Sequence, residues 1–357
     1  MGKAVLVTMD TTARTTPIRE VDLGDQAAFT DSRALTETLA APLRPSGGMV
    51  RGGCTVTSSA DGPVVAVIVT HDRRELLAQS LQAVLKQGRP AEVVVVVDNA
   101  STDGTSGWLG AEHPGCDVVT LTANVGGAGG FAVGLDRALG HHQAGAVWLL
   151  DDDTIPQRSA LEALLTAKAK DGEAVLVASR VLWEDGRDHP MNTARPLPWL
   201  GTPTWVPPGC SRIRSASFVS ILVDGDAARR TAPPIADYFL WNDDFEFTTR
   251  LLRGALGLRC QSSVVLHRTR HGGGSEEDPG SRFFFEVRNK VWLFSRSGGL
   301  SPVEKITYGL ATVLRWCRTL ARSRERRRLL AWGLQGAKAG LRAAPRPNEV
   351  VLAGVRS

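Results

Sequence analysis

The feature that most limits what this chain can become is a set of unbroken, β-branched apolar runs spaced among helix-patterned segments. Residues 64–69 read Val-Val-Ala-Val-Ile-Val, and residues 93–97 are all valine. A strand wet on one face alternates apolar and polar residues, whereas a strand covered on both faces does not. Shorter apolar runs follow at 118–121, 147–150 and 174–178. Between them, residues 74–87 carry Leu76, Leu77, Leu81, Val84 and Leu85 at helical spacing, and 105–111, 130–139 and 161–170 also read as helices. Strand alternating with helix predicts an α/β fold, a mostly parallel central sheet with both faces covered. Ligands of such sheets sit beyond the carboxyl ends of the strands.

Past residue 180 the alternation stops. Residues 183–215 are rich in Pro, Gly and Trp and read as long loops. A strand at 217–223, a helix at 244–253 and a strand at 257–266 follow, then a helical stretch over 282–342 with a break near Gly298 and Gly299. Residues 1–62 lack periodicity and are rich in Thr, Ser, Gly and Asp, which predicts a poorly ordered N-terminal extension. The expected domains are therefore that extension, a main domain over 63–297 with halves at 63–180 and 181–297, and a basic amphipathic helical tail over 298–357.

Hydrophobic residues make up 43% of the chain, enough for a sizeable core. The five cysteines are scattered without a Cys-x-x-Cys, which points away from a disulfide framework and toward a reducing compartment. No apolar run reaches the length of a membrane span, and the patch at residues 4–7 is too brief for a secretory signal. Charge is uneven: residues 301–357 hold 12 basic and 3 acidic residues, a net of +9, so the remainder of a chain with net charge +5 carries −4. A basic tail on an acidic body predicts a polyanionic surface as its neighbour.

Three chemistry-bearing clusters stand at strand ends. Asp151, Asp152 and Asp153 follow the apolar run at 146–150. Adjacent carboxylates repel, and a hard divalent cation relieves that repulsion while leaving positions for phosphate oxygens. Asp98 ends the second strand, where it can accept from a base N–H or a ribose hydroxyl; Asn99, Ser101 and Asp103 behind it also fit plain turn and cap roles. Asp243 and Asp244, within Trp-Asn-Asp-Asp-Phe-Glu at 241–246, start a helix where one carboxylate could take a proton from an attacking hydroxyl. His267 closes the strand at 257–266 and adds a nitrogen donor to an acidic metal site, whereas His271 reads as loop and His141 and His142 as a solvated helix end.

The turns exclude other nucleotide chemistries. Thr70-His71-Asp72-Arg73-Arg74 after the first strand lacks the glycines of a dinucleotide fold. The glycine-rich stretch at 124–131, with Asn124 and Gly127, can bring backbone N–H groups to a phosphate but lacks the Gly-Lys-Ser/Thr of a P-loop.

In this order the motifs resemble the family-two inverting glycosyltransferases of GT-A fold, over about residues 64–295, and within them the actinobacterial galactofuranosyl- and rhamnosyltransferases of cell-wall polysaccharide synthesis. The resemblance implies that Asp98 holds the nucleobase in a pocket lined by Thr70, His71 and Asn99. It implies that Asp151, Asp153 and His267 bind Mg²⁺ or Mn²⁺, and that Asp152 faces the donor sugar or ribose. Asp244, or its neighbour Asp243, would be the general base, and Trp241 and Asn242 would shape the acceptor site. Many relatives carry Glu-Asp where this chain has Asp243-Asp244. The Gln-x-x-Arg-Trp element and membrane spans of the processive synthases are absent from this sequence, so one or a few sugars would be added. Arg288 and Asn289 match a stretch common in lipid-acceptor relatives, with no role assigned.

The implied donor is UDP-galactofuranose first and dTDP-rhamnose second, and the implied acceptor a lipid-linked or polysaccharide glycan of the cell envelope. Arginines at 315, 318, 322, 324 and 326–328 interleave with Val313, Leu314, Trp316, Leu320, Leu329, Leu330 and Trp332. Such a stretch can lie on an anionic membrane surface through residues 313–332, which predicts a cytoplasmic protein held peripherally at the inner face of the plasma membrane; a helix packed on the catalytic domain with a solvated charged face is the plainer alternative. A nucleotidyl or sugar-phosphate transferase would also use aspartates and a metal, but needs a glycine- and lysine-rich loop after the first strand. A nucleic-acid binder acting through the arginines would need a recognition module that the sequence does not display, so no nucleic-acid partner is expected.

Overall fold

The first apolar run folds as β1 (Val64–Thr70), every residue of it buried. It lies between two parallel neighbours, β2 (Val93–Asp98) and β4 (Ala146–Asp151). Val65, Val67 and Val69 enter one core with Val95, Val97, Val147 and Leu149; Val64, Ala66 and Ile68 enter the opposite core with Val94, Val96, Trp148 and Leu150. Two cores on two faces explain why these strands show no polar alternation. Each such side chain contributes roughly 1.5–3 kcal/mol on burial.

This computed structural model describes residues 62–197, 205–268 and 278–355; the N-terminal extension and His271 lie outside the described residues. The described residues form one compact unit. The helices α1 (Arg74–Leu85), α2 (Thr105–Glu112) and α3 (Gly126–Asp136) alternate with β1, β2 and β3 (Asp117–Thr120), as the periodicity predicts. After β4 come the short β5 (Thr154–Pro156), α4 (Ala160–Asp171) and β6 (Ala174–Leu182). The second half adds β7 (Arg195–Pro196), β8 (Cys210–Ser215), β9 (Ser220–Asp224), α5 (Gly225–Arg230), α6 (Asp243–Leu251) and β10 (Leu256–His267). Among the described residues the strands join in the order β3-β2-β1-β4-β9-β6-β10-β8-β7, with β5 paired to β10. The sheet is parallel from β3 to β4, and β9 is antiparallel to both β4 and β6.

Two local differences from the sequence reading have clear causes. The region 183–215, read as loops, contains β7 and β8; β8 is polar (Cys-Ser-Arg-Ile-Arg-Ser) and gains its place by antiparallel pairing with β10. The glycine-rich stretch is not a loop feeding a helix at 130, because α3 already begins at Gly126. Its glycines allow close packing on β1: a Cβ at Gly130 would lie 2.4 Å from Val69, and one at Gly134 2.4 Å from Val67. A π-helical turn, Arg137–His141, follows. His142, expected in solvent, is partly buried with its Nε2 2.6 Å from Asp117, which Arg137 also holds.

The C-terminal helices are α7 (Phe283–Ser295), α8 (Pro302–Arg322), α9 (Arg326–Arg342) and α10 (Asn348–Val351). The expected break near Gly298 falls between α7 and α8, and a second break lies between α8 and α9. The helix α9 lies tightly on α7, since a Cβ at Gly336 would reach the carbonyl oxygen of Phe284 at 2.4 Å. The last described residues return to the sheet: Thr122 N–H donates to the Val355 carbonyl at 2.9 Å, and Val355 joins the main core. Trp316, Leu320 and Trp332 are directed inward, against Phe283, Val287 and Leu329. The exposed apolar residues of α8 are instead Val303, Ile306, Leu310, Val313 and Leu314. No helix of the described residues is long and apolar enough to cross a membrane.

Candidate active site and metal centre

The site forms where β1, β2 and β4 end, with one late contribution from β10. That strand carries a register shift between Cys260 and Val264, and its last residues then pair antiparallel with β5, His267 opposite Thr154. This register brings His267 to the aspartate run. Ligand atoms of Asp151, Asp153 and His267 all lie within 4.8 Å of one another. His267 Nε2 is 2.9 Å from Asp153 Oδ1, whereas His267 Nδ1 is buried without a hydrogen-bond partner in the structure. Two carboxylates and an imidazole with a buried, unpartnered nitrogen fit a hard or borderline divalent cation. His189 backs the cluster, its ring 5.1 Å from that of His267; burial, with help from His267, pushes it down to about 4.

The three aspartates differ in environment. Burial, with repulsion from Asp153, pushes Asp151 up to about 7. Burial also raises Asp152 to about 6, against the pull of the Arg73 guanidinium. Asp153 is raised by burial but lowered more by His267 and Arg73, and it ends below the usual carboxylate range. Asp152 accepts from Thr70 Oγ1 at 2.8 Å and from Arg73 Nη1 at 3.2 Å, while the same Nη1 donates to Asp153 Oδ2 at 2.9 Å. Thr70 thus braces Asp152 from β1.

Beside them, Asp98 is fully buried at the tip of β2. Its Oδ1 accepts from Ser101 N–H at 3.0 Å, and its Oδ2 has no partner. A buried carboxylate oxygen without a donor is costly unless a ligand supplies one. His71 is partly exposed, with Nε2 3.6 Å from Asp72 and Nδ1 buried without a partner. Asn99 and Asn124 brace the neighbouring loop: Asn99 accepts from Val125 N–H at 2.9 Å and donates to Asn124 Oδ1 and to the Gly126 carbonyl at 3.0 Å each. Asn124 Oδ1 also accepts from the Gly126 N–H at 2.8 Å. Gly127 faces open space at the start of α3. Ser101 and Asp103 serve the turns: Ser101 Oγ accepts from Asp72 N–H, and Asp103 from the N–H groups of Arg74 and Thr105.

The second acidic cluster opens α6. Phe239, Trp241 and Asn242 all have φ between 62° and 66°, a conformation costly for residues with a side chain. Asn289 of α7 over-determines it, donating from Nδ2 to the carbonyls of Tyr238, Leu240 and Trp241 at 2.8–2.9 Å. Arg288 donates to the Asp237 and Tyr238 carbonyls and stacks over Trp292 at 4.4 Å. Asn242 donates to Glu286 at 2.8 Å. The stretch without an assigned role is therefore the brace of this loop.

Asp243 and Asp244 follow it. Burial and the charge of Asp244 push Asp243 well up. Burial raises Asp244 as well, but the Phe245 N–H (2.6 Å from Asp244 Oδ1), Lys290 and Arg195 favour its ionised form. Lys290 and Arg195 sit 4.8 and 5.1 Å from the centre of the Phe245 ring, and burial lowers Lys290 to about 8. Asp151 and Asp244 lie near enough for their charges to repel, so the two acidic clusters are neighbours. Sequence reasoning missed Arg73, Arg195 and Lys290, since a lone basic residue far along the chain from its acidic partner leaves no local signature.

A family model described as glycosyl transferase family 2 matches residues 65–231. The galactofuranosyltransferase GlfT1 of Mycolicibacterium smegmatis is 30% identical over 274 residues, which cover 69% of this chain and 88% of that protein. Its namesake in Mycobacterium tuberculosis is 30% identical over 265 residues, covering 66% and 83%. Among solved structures, S. aureus TarS 1–349 in complex with UDP-GlcNAc aligns with a TM-score of 0.51 at 14% identity, over 82% of this chain and 83% of that one. Full-length TarS aligns at 0.51 with 18% identity, over 71% and 43%. These are likenesses of fold, GT-A in type.

Proposed function

Because this chain belongs to glycosyl transferase family 2 and is a glycosyltransferase, we propose that it is metal-dependent and inverting. Its proposed donor is a nucleotide diphosphate sugar, UDP-galactofuranose before dTDP-rhamnose. Its proposed acceptor is a lipid-linked or polysaccharide glycan of the cell envelope. The observation that carries this reading is the convergence of Asp151, Asp153 and His267 beside the unpartnered Asp98 oxygen, with Asp244 nearby. The similarity to galactofuranosyltransferases supports the choice of donor.

Asp98 accepts a hydrogen bond from the nucleobase or ribose. Asp151, Asp153 and His267 would hold a divalent cation, Mg²⁺ or Mn²⁺, and that ion would supply positive charge to balance the departing diphosphate. Asp244 removes the acceptor hydroxyl proton as the oxygen bonds to the anomeric carbon and the bond from that carbon to phosphate breaks, giving glycoside and nucleoside diphosphate. Burial and the charge of Asp244 disfavour the ionised form of Asp243, which leaves that role to Asp244. This is the division of labour expected where neighbouring carboxylates are driven apart in acidity. Trp241 and Asn242, fixed by Asn289 and Glu286, wall the acceptor side.

A second element of the reading concerns place. The exposed apolar row of α8, with exposed arginines at 318, 322 and 324 toward its end, supports peripheral docking on an anionic membrane at its cytoplasmic face. The docking face moves from residues 313–332 to 303–314, because the tryptophans pack inward. Co-sedimentation with anionic vesicles at low and high salt tests it; protein left in the supernatant at low salt refutes it.

The donor is tested by thermal stabilisation and metal-dependent hydrolysis across a panel of nucleotide sugars. UDP-galactofuranose is expected to give the largest response. A panel without response in the presence of Mn²⁺ would overturn the donor assignment.

A further inference from the structure

Arg73 sits at the turn between β1 and α1 and bridges two of the three aspartates through one nitrogen, Nη1 to Asp152 Oδ1 at 3.2 Å and to Asp153 Oδ2 at 2.9 Å. Asp153 is thereby shared: one oxygen faces the guanidinium, and the other faces His267 within the cluster that suits a divalent ion. Half of the Arg73 side chain is exposed, so it is free to swing outward. Two cations on one carboxylate repel, and the repulsion is strong where burial limits screening.

We propose that Arg73 couples metal binding to donor binding, acting as a built-in counter-cation that the donor's diphosphate draws away from Asp152 and Asp153. Without a diphosphate, the guanidinium competes with the divalent ion for Asp153. With one, Arg73 has a better partner: a planar fork of N–H donors matches phosphate oxygens bidentately, and the pairing is charge-assisted. Its departure frees Asp153 for the ion and places a positive charge on the leaving group. By linkage, the metal tightens the diphosphate by the same factor that the diphosphate tightens the metal. The site would then hold little metal until the donor arrives. Arg73 is a positioning residue in the empty protein and a ligand contact in the loaded one.

The inference rests on the donor reading, and the test separates the two. Mn²⁺ binding to the whole chain is followed by electron paramagnetic resonance, alone and with saturating UDP or dTDP. For wild type, the nucleotide should tighten Mn²⁺ by about tenfold or more, within the ordinary range of coupling between sites. In Arg73→Met, Mn²⁺ alone should bind tighter than in wild type by a similar factor, and the added effect of nucleotide should shrink toward none. Arg73→Lys, which keeps the charge but lacks the planar fork that pairs with phosphate, should fall between. Circular dichroism confirms that each variant is folded, and the Lys variant decides the matter if the Met variant is not. Mn²⁺ binding by Arg73→Met that is no tighter than wild type, or coupling that survives in both variants, overturns the role of Arg73 alone. Wild type that binds no Mn²⁺ even with nucleotide overturns the donor reading and this inference with it.

Discussion

Asn289 donates a hydrogen bond to the carbonyl oxygen of Trp241 at 2.8 Å, the shortest of three that one buried amide makes to the same loop. Removing it leaves the Leu240 and Trp241 carbonyls without their donor, while the Tyr238 carbonyl keeps its bond from Arg288. Asn289→Leu should cost about 1–3 kcal/mol for each acceptor left buried and unpaired. It should also disturb Trp241 and Asn242, lowering transfer more than donor binding. Thermal unfolding alongside donor titration checks both halves.

Asp244→Asn should lower kcat by about 10²–10⁴, the usual size of general-base catalysis, with donor affinity nearly unchanged. Asp243→Asn should be milder, because burial and Asp244 already disfavour the ionised form of Asp243. Steady-state rates and isothermal titration with the nucleotide distinguish the two; equal losses in both variants would assign the base wrongly.

Chelation with EDTA should abolish transfer, and Mn²⁺ or Mg²⁺ should restore it. His267→Ala should raise the Mn²⁺ concentration needed for half-maximal activity, since the imidazole is one of three clustered donors. Full activity in chelator would remove the metal from the reaction.

Arg214, almost fully buried, donates to Glu304 at 2.6 Å, and Ser301 and Glu304 complete a capping box at the start of α8. Burial raises the Glu304 carboxyl, but Arg214 and the Ser301 N–H lower it further, to a net value below its ordinary 4.5. A carboxyl acidified by folding stabilises the protein fully above its unfolded value and loses that contribution as pH falls through its folded value. Glu304→Gln should therefore lower the melting temperature near pH 7, and the difference from wild type should narrow below about pH 4. A pH series of thermal melts checks the sign.

How much of this was legible depends on where each residue finds its partner. Val64 to Val69 are buried on both faces, so burial is written into their composition, and the strand is read directly. The Asp151, Asp153 and His267 set was legible because Asp151 and His267 end strands of recognisable pattern and Asp153 follows Asp151 by two residues. The polar strand β8 was not, since its pairing with β10 is a tertiary event without a periodic signature. Gly126 to Gly130 suggested a loop, whereas Gly126 admits the Phe239 backbone and Gly130 lets the helix pack on Val69. Trp316 and Trp332 looked fit for a lipid interface, yet Phe283 and Val287 cover them. Arg73 and Asn289 escaped notice because their partners, distant carboxylates and backbone carbonyls, are set by topology.

The late arrival of β10 carries a consequence for biosynthesis. Strands β1 to β4 pair only with one another and with β9, so a ribosome can deliver most of the nucleotide side early. At that stage the aspartate run already has Arg73 within its own segment, while His267 is still untranslated and Asn289 further behind. A nascent chain would thus shield its most repulsive cluster with an arginine before the histidine exists, and complete the acceptor wall only when α7 has emerged.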